Sequence, residues 1–168
     1  MRNTLTESIL AYRDTVFQVA LGYVKNIHDA DDIAQNVFMK LGLNSKKVFE
    51  SQEAEKAWLI RVTMNESKNF LKSAWRRNRN DLDESLIVPA PCFRSDENSD
   101  IYDYVKKLKP KYRTVIYLHY FEGYSTKEIS SILKMSQTAV TTQLGRARNL
   151  LKENIEKENH YERLQGII

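Results

Sequence analysis

The sequence predicts an all-α protein made of two small helical domains joined by a flexible acidic linker. Apolar residues recur three and four positions apart over most of the 168 residues, as in amphipathic helices. Residues 80–100 lack this spacing and contain Pro89 and Pro91. Charge also alternates: residues 61–79 carry six cations and one acid, residues 80–103 one cation and seven acids, and residues 104–153 ten cations and three acids. We therefore expect a first domain at residues 1–79, a linker at 80–100, a second domain at 101–155 and a charged tail at 156–168.

The composition excludes several classes of protein. Cys92 is the only cysteine, so an intrachain disulfide is impossible. No apolar run approaches the roughly 20 residues that cross a bilayer, and the polar first residues are unlike a signal peptide, so we expect a cytoplasmic protein without membrane insertion. His28, His119 and His160 lie on separate segments, and the sequence has no phosphate-binding glycine loop, metal-ligand cluster or nucleophile motif. We expect neither an enzyme nor a bound cofactor or metal.

The first two predicted helices cover residues 6–25 and 29–41. In the second helix, Asp29 is the expected N-cap and Gly42 the expected end. Its apolar stripe consists of Ala30, Ile33, Ala34, Val37, Phe38 and Leu41, and its opposite face carries Asp31, Asp32, Gln35, Asn36 and Met39. Two interpretations of the acids stay open: favourable interaction with the helix dipole, or a polar face that docks a basic protein partner.

A third helix is predicted for residues 54–79, after a polar loop. Leu59, Val62 and Phe70 are its expected core residues, with Trp58 and Ala74 as further candidates. The remaining face carries Arg61, Asn65, Lys68, Asn69, Lys72, Trp75, Arg76 and Arg77. Cations that track phosphates and aromatic rings that stack on bases are typical of single-stranded nucleic acid binding. The alternative is that Trp58 is a core residue and the basic face is only solvated.

The second domain begins at Ile101, breaks at Pro110 and ends in a helix-turn-helix. Ser125 or Thr126 is expected to cap its first helix, with Glu128 at capping-box spacing from Ser125. Residues 134–136 form the turn, and the second helix has an apolar stripe of Val140, Leu144, Ala147 and Leu151. Its other face carries Ser136, Gln137, Thr138, Thr141, Thr142, Gly145, Arg146 and Arg148. Small polar side chains followed by cations favour insertion into a DNA major groove.

From about residue 10 to residue 152, the sequence resembles the extracytoplasmic-function (ECF) sigma factors, which keep only sigma regions two and four. The segment DADDIAQNVFMKL is similar to the family's "D-A-E-D-hydrophobic-x-Q-E-hydrophobic-F" helix, and AWLIRVTMN is similar to its "W-L-x-x-I-A-x-N". The second domain matches the family spacing from Leu108 to Arg148. One departure is Lys134, which stands where the family usually has glycine.

This resemblance implies an alternative sigma factor that binds core RNA polymerase and directs initiation at promoters. The helix bearing Asp31, Asp32, Gln35, Asn36 and Met39 would dock on the clamp helices of the largest subunit, and region four on the flap of the second-largest subunit. Region two would hold single-stranded minus-10 DNA, and region four the double-stranded minus-35 element. The acidic linker would run toward the RNA exit path, and a membrane-bound or soluble anti-sigma factor would be the regulator.

Two other functions are considered. An operator-binding helix-turn-helix regulator would use the second domain for DNA and the first for dimerisation or effector sensing. That function leaves the acid-bearing helix and the basic Trp-containing helix without explanation. A protein-binding adaptor explains still less of the charge pattern.

Overall fold

The structure, a computed structural model, describes residues 4–24, 26–44, 46–77 and 99–165. It has helices α1 (Leu5–Val24), α2 (Ile27–Leu43), α3 (Gln52–Arg77), α4 (Ser99–Lys107), α5 (Pro110–Ile116), a π-helical turn (Tyr117–Phe121), α6 (Thr126–Leu133) and α7 (Gln137–Gln165). No strand occurs among these residues, which confirms the all-α prediction. The chain divides into two compact units, Met1–Cys92 and Phe93–Ile168. The predicted linker lies outside the described residues except for Ser99 and Asp100, which begin α4.

In the first unit, α1, α2 and α3 all pack against one another. The predicted stripe of α2, from Ala30 to Leu41, is buried throughout. Val16, Ala20 and Leu21 of α1 and Leu59 of α3 are also nearly inaccessible to solvent. Burying each of the Val, Leu, Ile and Phe side chains contributes about 1.5–3 kcal/mol to stability, so this core fixes the outward sides of α2 and α3.

The prediction of the α3 core was partly wrong. Val62 and Phe70 are only half-buried, whereas Ile60 and Met64 are buried with Leu59. The reason is that the inward face of α3 also contains polar residues, namely Glu55, Thr63 and Ser67. Each has a hydrogen bond: Ser8 Oγ donates to Glu55 Oε1 at 2.5 Å, Thr63 Oγ1 to Leu59 O at 2.7 Å, and Ser67 Oγ to Thr63 O at 2.8 Å. Buried polar groups need such partners, and an apolar pattern does not mark them.

The ends of α2 also differ from the prediction. Asn26, not Asp29, is the N-cap: its side-chain oxygen accepts hydrogen bonds from the backbone N of His28 at 2.8 Å and of Asp29 at 3.3 Å. The helix continues through Gly42 to Leu43, and Asn44 is the C-cap. Asparagine caps a helix as well as aspartate does, so residue type alone did not favour Asp29 over Asn26. The earlier start places Asp29 inside the first turn.

In the second unit, α5 and α6 both pack on α7, and the core includes Val105, Val115, Leu118, Ile129 and Leu144. The buried Arg113 closes the end of α4, because its Nη1 donates to Lys106 O at 2.9 Å and Leu108 O at 2.7 Å. These bonds satisfy carbonyl groups that the end of a helix leaves without a backbone partner. Pro110 then occupies the first turn of α5, where its missing N–H costs nothing.

The predicted helix-turn-helix is present. Ser125 is the N-cap of α6 and forms a complete capping box with Glu128, and the helix buries Ile129, Ile132 and Leu133. Lys134 adopts a left-handed backbone conformation with φ 52°. Ser136 caps α7, since its Oγ accepts from the backbone N of Ala139 at 3.1 Å. Helix α7 then continues to Gln165, through residues 153–165 for which the sequence predicted no element.

Candidate nucleic-acid and polymerase interfaces

The outward side of α2, here called the α2 outer face, comprises Asp32, Gln35, Asn36 and Met39, all exposed. Asp31, predicted with them, is half-buried and accepts a hydrogen bond from Gln35 Nε2 at 3.3 Å. Burial raises the pKa of Asp29 in the first turn, the charge of Asp32 raises it further, and His28 opposes the rise. The α2 outer face thus begins with the acidic Asp32 and ends with the apolar Met39, which is 63% exposed.

The sequence reasoning missed Leu43, which extends this face by one turn. Leu43 lies four residues after Met39 and is 83% exposed. A search for exposed apolar residues at helical spacing from Met39 would have found it, but the expected end at Gly42 hid it. Met39 and Leu43 together form an apolar end to an otherwise polar face.

The outward side of α3, the α3 outer face, comprises Asn65, Lys68, Asn69 and Lys72. These four side chains are exposed and follow the i, i+3, i+4, i+7 spacing of one helix face. Trp75 lies one turn beyond Lys72 with 66% of its surface exposed. The arrangement places two cations, two amides and an aromatic ring along about three turns of helix.

The other predicted residues of α3 have different positions. Arg61 is half-buried and its Nε atom is enclosed, so it contributes only in part to the exposed surface. Arg77 is exposed and its Nε donates to Ser73 O at 3.5 Å. The side chain of Arg76 lies outside the described part of the chain.

Trp58 packs against the loop that precedes α3. Its ring and that of Phe49 lie 5.6 Å apart at a tilt of 55°, and Lys47 Nζ lies 4.7 Å from the Trp58 ring centroid. This is the geometry of a cation–π contact. Trp58 is half-buried, and it holds the loop rather than offering an open ring face. Sequence reasoning missed the contacts of Lys47 and Phe49 with Trp58 because these residues lie eleven and nine positions before it.

The outward side of α7, the α7 outer face, comprises Thr138, Thr142, Gly145 and Arg146. The first three recur at i, i+4 and i+7, and Arg146 lies one turn after Thr142; all are exposed except Gly145, which is half-exposed. Asn149, missed earlier, is exposed and continues the same stripe at i+11 from Thr138. A Cβ added to Gly145 would meet nothing within 4 Å, so no neighbouring atom in the chain requires a glycine there.

Four predicted residues of α7 are engaged elsewhere. Ser136 caps the helix, and Gln137 Nε2 donates to Thr126 Oγ1 of α6 at 3.1 Å. Thr141 Oγ1 donates to Gln137 O at 3.0 Å, although its side chain is exposed. Arg148 lies off the outer stripe: its Nε donates to the hydroxyl of Tyr120 at 2.7 Å, and its guanidinium carbon lies 5.9 Å from the Tyr120 ring centroid.

The described residues contain no group of three or more His, Cys, Asp or Glu side chains that could hold a metal ion. Within the same ranges, no helix is long and apolar enough to cross a membrane.

Comparison with known proteins gives two family matches. The model of sigma-70 region 2 matches residues 9–77, and the model of sigma-70 region 4 matches residues 99–151. The RNA polymerase sigma factor SigV of Bacillus subtilis is 27% identical over 157 residues, covering 92% of this chain and 93% of that protein. The ECF RNA polymerase sigma factor SigW of the same organism is 28% identical over 163 residues, covering 86% of this chain and 84% of that protein.

Two solved structures share the fold. The sigma factor RpoE from Bartonella quintana, in complex with the anti-sigma factor NepR, matches with a TM-score of 0.71 and 21% identity, covering 90% of this chain and 96% of that chain. CnrH in complex with the cytosolic domain of CnrY matches with a TM-score of 0.59 and 20% identity, covering 91% of this chain and 88% of that chain. At these identities the structures establish a common helical architecture.

Proposed function

This chain belongs to the ECF sigma factors of RNA polymerase, and on that premise we propose that three helix faces divide the work of promoter-specific initiation. The chain is an alternative sigma factor that directs transcription initiation, so the operator-binding regulator is not favoured. The proposal concerns which residues perform each step. In it, the α3 outer face holds minus-10 DNA, the α7 outer face reads the minus-35 duplex, and the α2 outer face docks on polymerase.

The exposed row from Asn65 to Lys72 carries the assignment of minus-10 binding. Promoter melting leaves unstacked bases and unpaired backbone phosphates. The protein must bind them strongly enough to prevent the two DNA strands from pairing again. Lys68 and Lys72 neutralise phosphates, while Asn65 and Asn69 offer amide donors and acceptors to base edges. Trp75, with its exposed ring, adds a stacking surface for which about 1–3 kcal/mol per base is typical. Arg61, Arg76 and Arg77 complete the basic surface in this proposal.

The α7 outer face suits double-stranded DNA. Thr138 and Thr142 are short enough to let the helix enter a major groove about 12 Å wide, and they hydrogen-bond to base edges. Arg146 reaches either a guanine or a phosphate. Gly145 has no side chain, so DNA can approach the helix backbone closely at this position. Ser136, Gln137 and Thr141 shape the beginning of the helix through their internal hydrogen bonds.

The α2 outer face supports docking on the clamp helices of the largest polymerase subunit. Asp32, with the half-buried Asp31 beside it, attracts a basic surface, and Met39 and Leu43 offer apolar surface that a partner can bury, a combination found in protein interfaces. Region four makes the second polymerase contact, on the flap of the second-largest subunit. An anti-sigma factor acts as regulator, and the protein works in the cytoplasm with polymerase. The polymerase supplies the catalytic site for RNA synthesis.

Run-off transcription with purified core polymerase tests the function directly. Templates come from mapping transcript starts after overexpression of the chain. We expect new start sites that share two upstream elements and that are transcribed in vitro only when the chain is added. If the chain adds no promoter-dependent initiation on any of these templates, the function is wrong; binding to a duplex without initiation would indicate an operator-binding regulator.

A second experiment tests the division of labour. Lys68→Ala with Lys72→Ala should reduce open-complex formation by at least about tenfold but leave binding to a minus-35 duplex fragment within about twofold. Lys56→Ala is the matched control, because Lys56 lies on the opposite side of α3. Equal losses in both assays would contradict the assignment of minus-10 binding to the α3 outer face.

A further inference from the structure

A side-chain hydrogen bond joins the starts of the two helices of the helix-turn-helix. Gln137 Nε2 donates to Thr126 Oγ1 at 3.1 Å. Thr126 is the first residue of α6 and Gln137 the first residue of α7, and each directly follows the serine that caps its helix. The Gln137 side chain is therefore held between α6 and α7, at the end of α7 whose side chains contact base edges in a helix-turn-helix.

This hydrogen bond leaves most of the Gln137 amide accessible to a ligand. A glutamine amide has two N–H donors and a carbonyl oxygen, and Thr126 accepts from one of the donors. The side chain is exposed, and within the described part of the chain its amide has no second partner. The carbonyl oxygen and the remaining N–H match the N6 donor and the N7 acceptor that adenine presents in the major groove.

The other outward side chains near the start of α7 distinguish less well between bases. Thr138 and Thr142 carry hydroxyl groups, which donate or accept and so bind several bases. Gln143, the next amide along α7, is half-buried. Asn149 lies twelve residues after Gln137, or about 18 Å further along the helix axis. Gln137 is therefore the amide of α7 best placed to recognise adenine.

The bond to Thr126 also reduces the entropy that Gln137 loses on binding. Fixing a long side chain at an interface lowers affinity by about twofold to tenfold. Thr126 restrains the amide before DNA binds, so part of this loss has already occurred in the folded chain. The effect is largest for a bidentate contact, because both of its hydrogen bonds require the same orientation of the amide.

We infer that Gln137 recognises an adenine of the minus-35 element through its carbonyl oxygen and remaining N–H, and that Thr126 is a positioning residue that orients the amide. The inference rests on the proposed function, because it takes the minus-35 duplex as the ligand of α7. It assigns adenine recognition to the first residue of α7 and leaves the guanine or phosphate contact to Arg146.

Modified adenines test the contact at the level of single atoms. In a duplex carrying the mapped minus-35 element, 7-deazaadenine replaces one adenine at a time, which removes the N7 acceptor and keeps base pairing. The full-length chain should lose affinity by about fivefold or more at one adenine, as expected when a bidentate contact is broken. Gln137→Ala should bind the unmodified duplex more weakly and should not distinguish 7-deazaadenine from adenine at that position. The inference is overturned if no adenine of either strand responds, or if Gln137→Ala responds as the wild type does.

Two substitutions test the positioning role of Thr126. Thr126→Val keeps the shape of the side chain but removes the acceptor for Gln137, so the preference for adenine over 7-deazaadenine should fall by about threefold. Thr126→Ser keeps the hydroxyl and should retain the wild-type preference. A general loss of structure would weaken binding to both duplexes equally and leave the preference unchanged. An unchanged preference in Thr126→Val would therefore overturn the positioning role.

Gln143→Ala is the matched control, because it removes the other glutamine of α7 and should leave the preference for adenine unchanged. The proposed function is checked separately with the wild-type chain. If that chain does not prefer the mapped element to a scrambled duplex, or directs no initiation, the proposed function fails first. Specific binding and initiation that ignore adenine N7 would overturn the inference alone.

Discussion

The ammonium group of Lys40 on α2 contacts the carboxylate of Glu66 on α3. Lys40 directly follows Met39 of the α2 outer face, and Glu66 directly follows Asn65 of the α3 outer face. The pair thus joins the helix proposed to dock on polymerase to the helix proposed to hold open DNA. Their side chains are 49% and 19% exposed, so solvent screens the attraction in part.

We expect this ion pair to contribute little to stability. Because surface pairs are worth about 0.2–1 kcal/mol, Lys40→Ala and Glu66→Ala should show a coupling free energy below about 1 kcal/mol in a double-mutant cycle. Urea unfolding of the four proteins measures it. A coupling of several kcal/mol would mean that the pair, and not the apolar core, fixes α2 against α3.

Leu43 should matter for polymerase binding. Leu43→Ser removes an apolar side chain that is 83% exposed, so the free energy of unfolding should change by less than about 0.5 kcal/mol. Polymerase affinity should fall about tenfold, because a buried Leu contributes about 1.5–3 kcal/mol at an interface that desolvates it. Leu10→Ser is the matched control, since Leu10 of α1 is 79% exposed. Equal loss of affinity in both variants would contradict the extension of the α2 outer face to Leu43.

Gly145→Ala should stabilise the protein and weaken DNA binding. Alanine is favoured over glycine inside a helix by about 0.8–1 kcal/mol, and the added Cβ meets nothing within 4 Å. The same methyl group would lie beside Thr142 and Arg146, where we propose that the duplex approaches the helix. Gly22→Ala in α1 is the control because its added Cβ also meets nothing within 4 Å. It should stabilise equally but leave minus-35 binding unchanged; a loss of binding in both variants would point to an indirect effect.

Lys134→Gly should stabilise the helix-turn-helix. At φ 52°, Lys134 pays about 1–2 kcal/mol for the crowding between its Cβ and backbone, and glycine avoids this crowding. Glycine also loses more chain entropy on folding, so the net gain should be about 0.5–1 kcal/mol in thermal or urea unfolding.

Gly123, with φ 75°, provides the converse test: Gly123→Ala should destabilise although no atom blocks its Cβ. Destabilisation by Lys134→Gly would show that the lysine side chain has a structural role.

The capping box of α6 should make stability depend on pH. Hydrogen bonds from the backbone and side chain of Ser125 lower the pKa of Glu128. A lowered folded-state pKa means that the contribution is complete above the unfolded pKa and is lost as pH falls through the folded pKa. Unfolding measured from neutral pH down to about pH 3 should show this loss, and Glu128→Gln should remove it while keeping the box geometry. An unchanged pH profile in Glu128→Gln would contradict this role.

Much of the candidate site could be predicted from local pattern. The spacing of Ala30 to Leu41 defined one side of α2 correctly, because a helix places residues three and four apart on the same side. The same geometry separated Thr138, Thr142 and Gly145 from the buried Val140 and Leu144. Ser125 and Ser136 were recognisable as caps, since capping depends on residues within three positions of the helix start.

Other features depend on residues distant in sequence. The inward face of α3 contains Thr63 and Ser67, whose hydroxyls bond to their own helix, so apolarity alone misplaced the core toward Val62. Lys47 and Phe49 meet Trp58 only when the loop folds back on α3. Arginine is a residue type typical of DNA contacts, but the direction of the Arg148 side chain is set by its hydrogen bond to Tyr120, 28 positions earlier.

By itself, the sequence determined the helical fold class, the family and the three basic or acidic helix faces, since these follow from short-range periodicity and from matched motifs. Only the tertiary structure decided which side chains on those faces remain outward, how far α7 extends, and that α4, the π-helical turn and α7 enclose an apolar groove. The physical reason is that burial and hydrogen-bond partners arise from contacts between helices. The pattern of one helix does not specify which side chains of a neighbouring helix will lie against it.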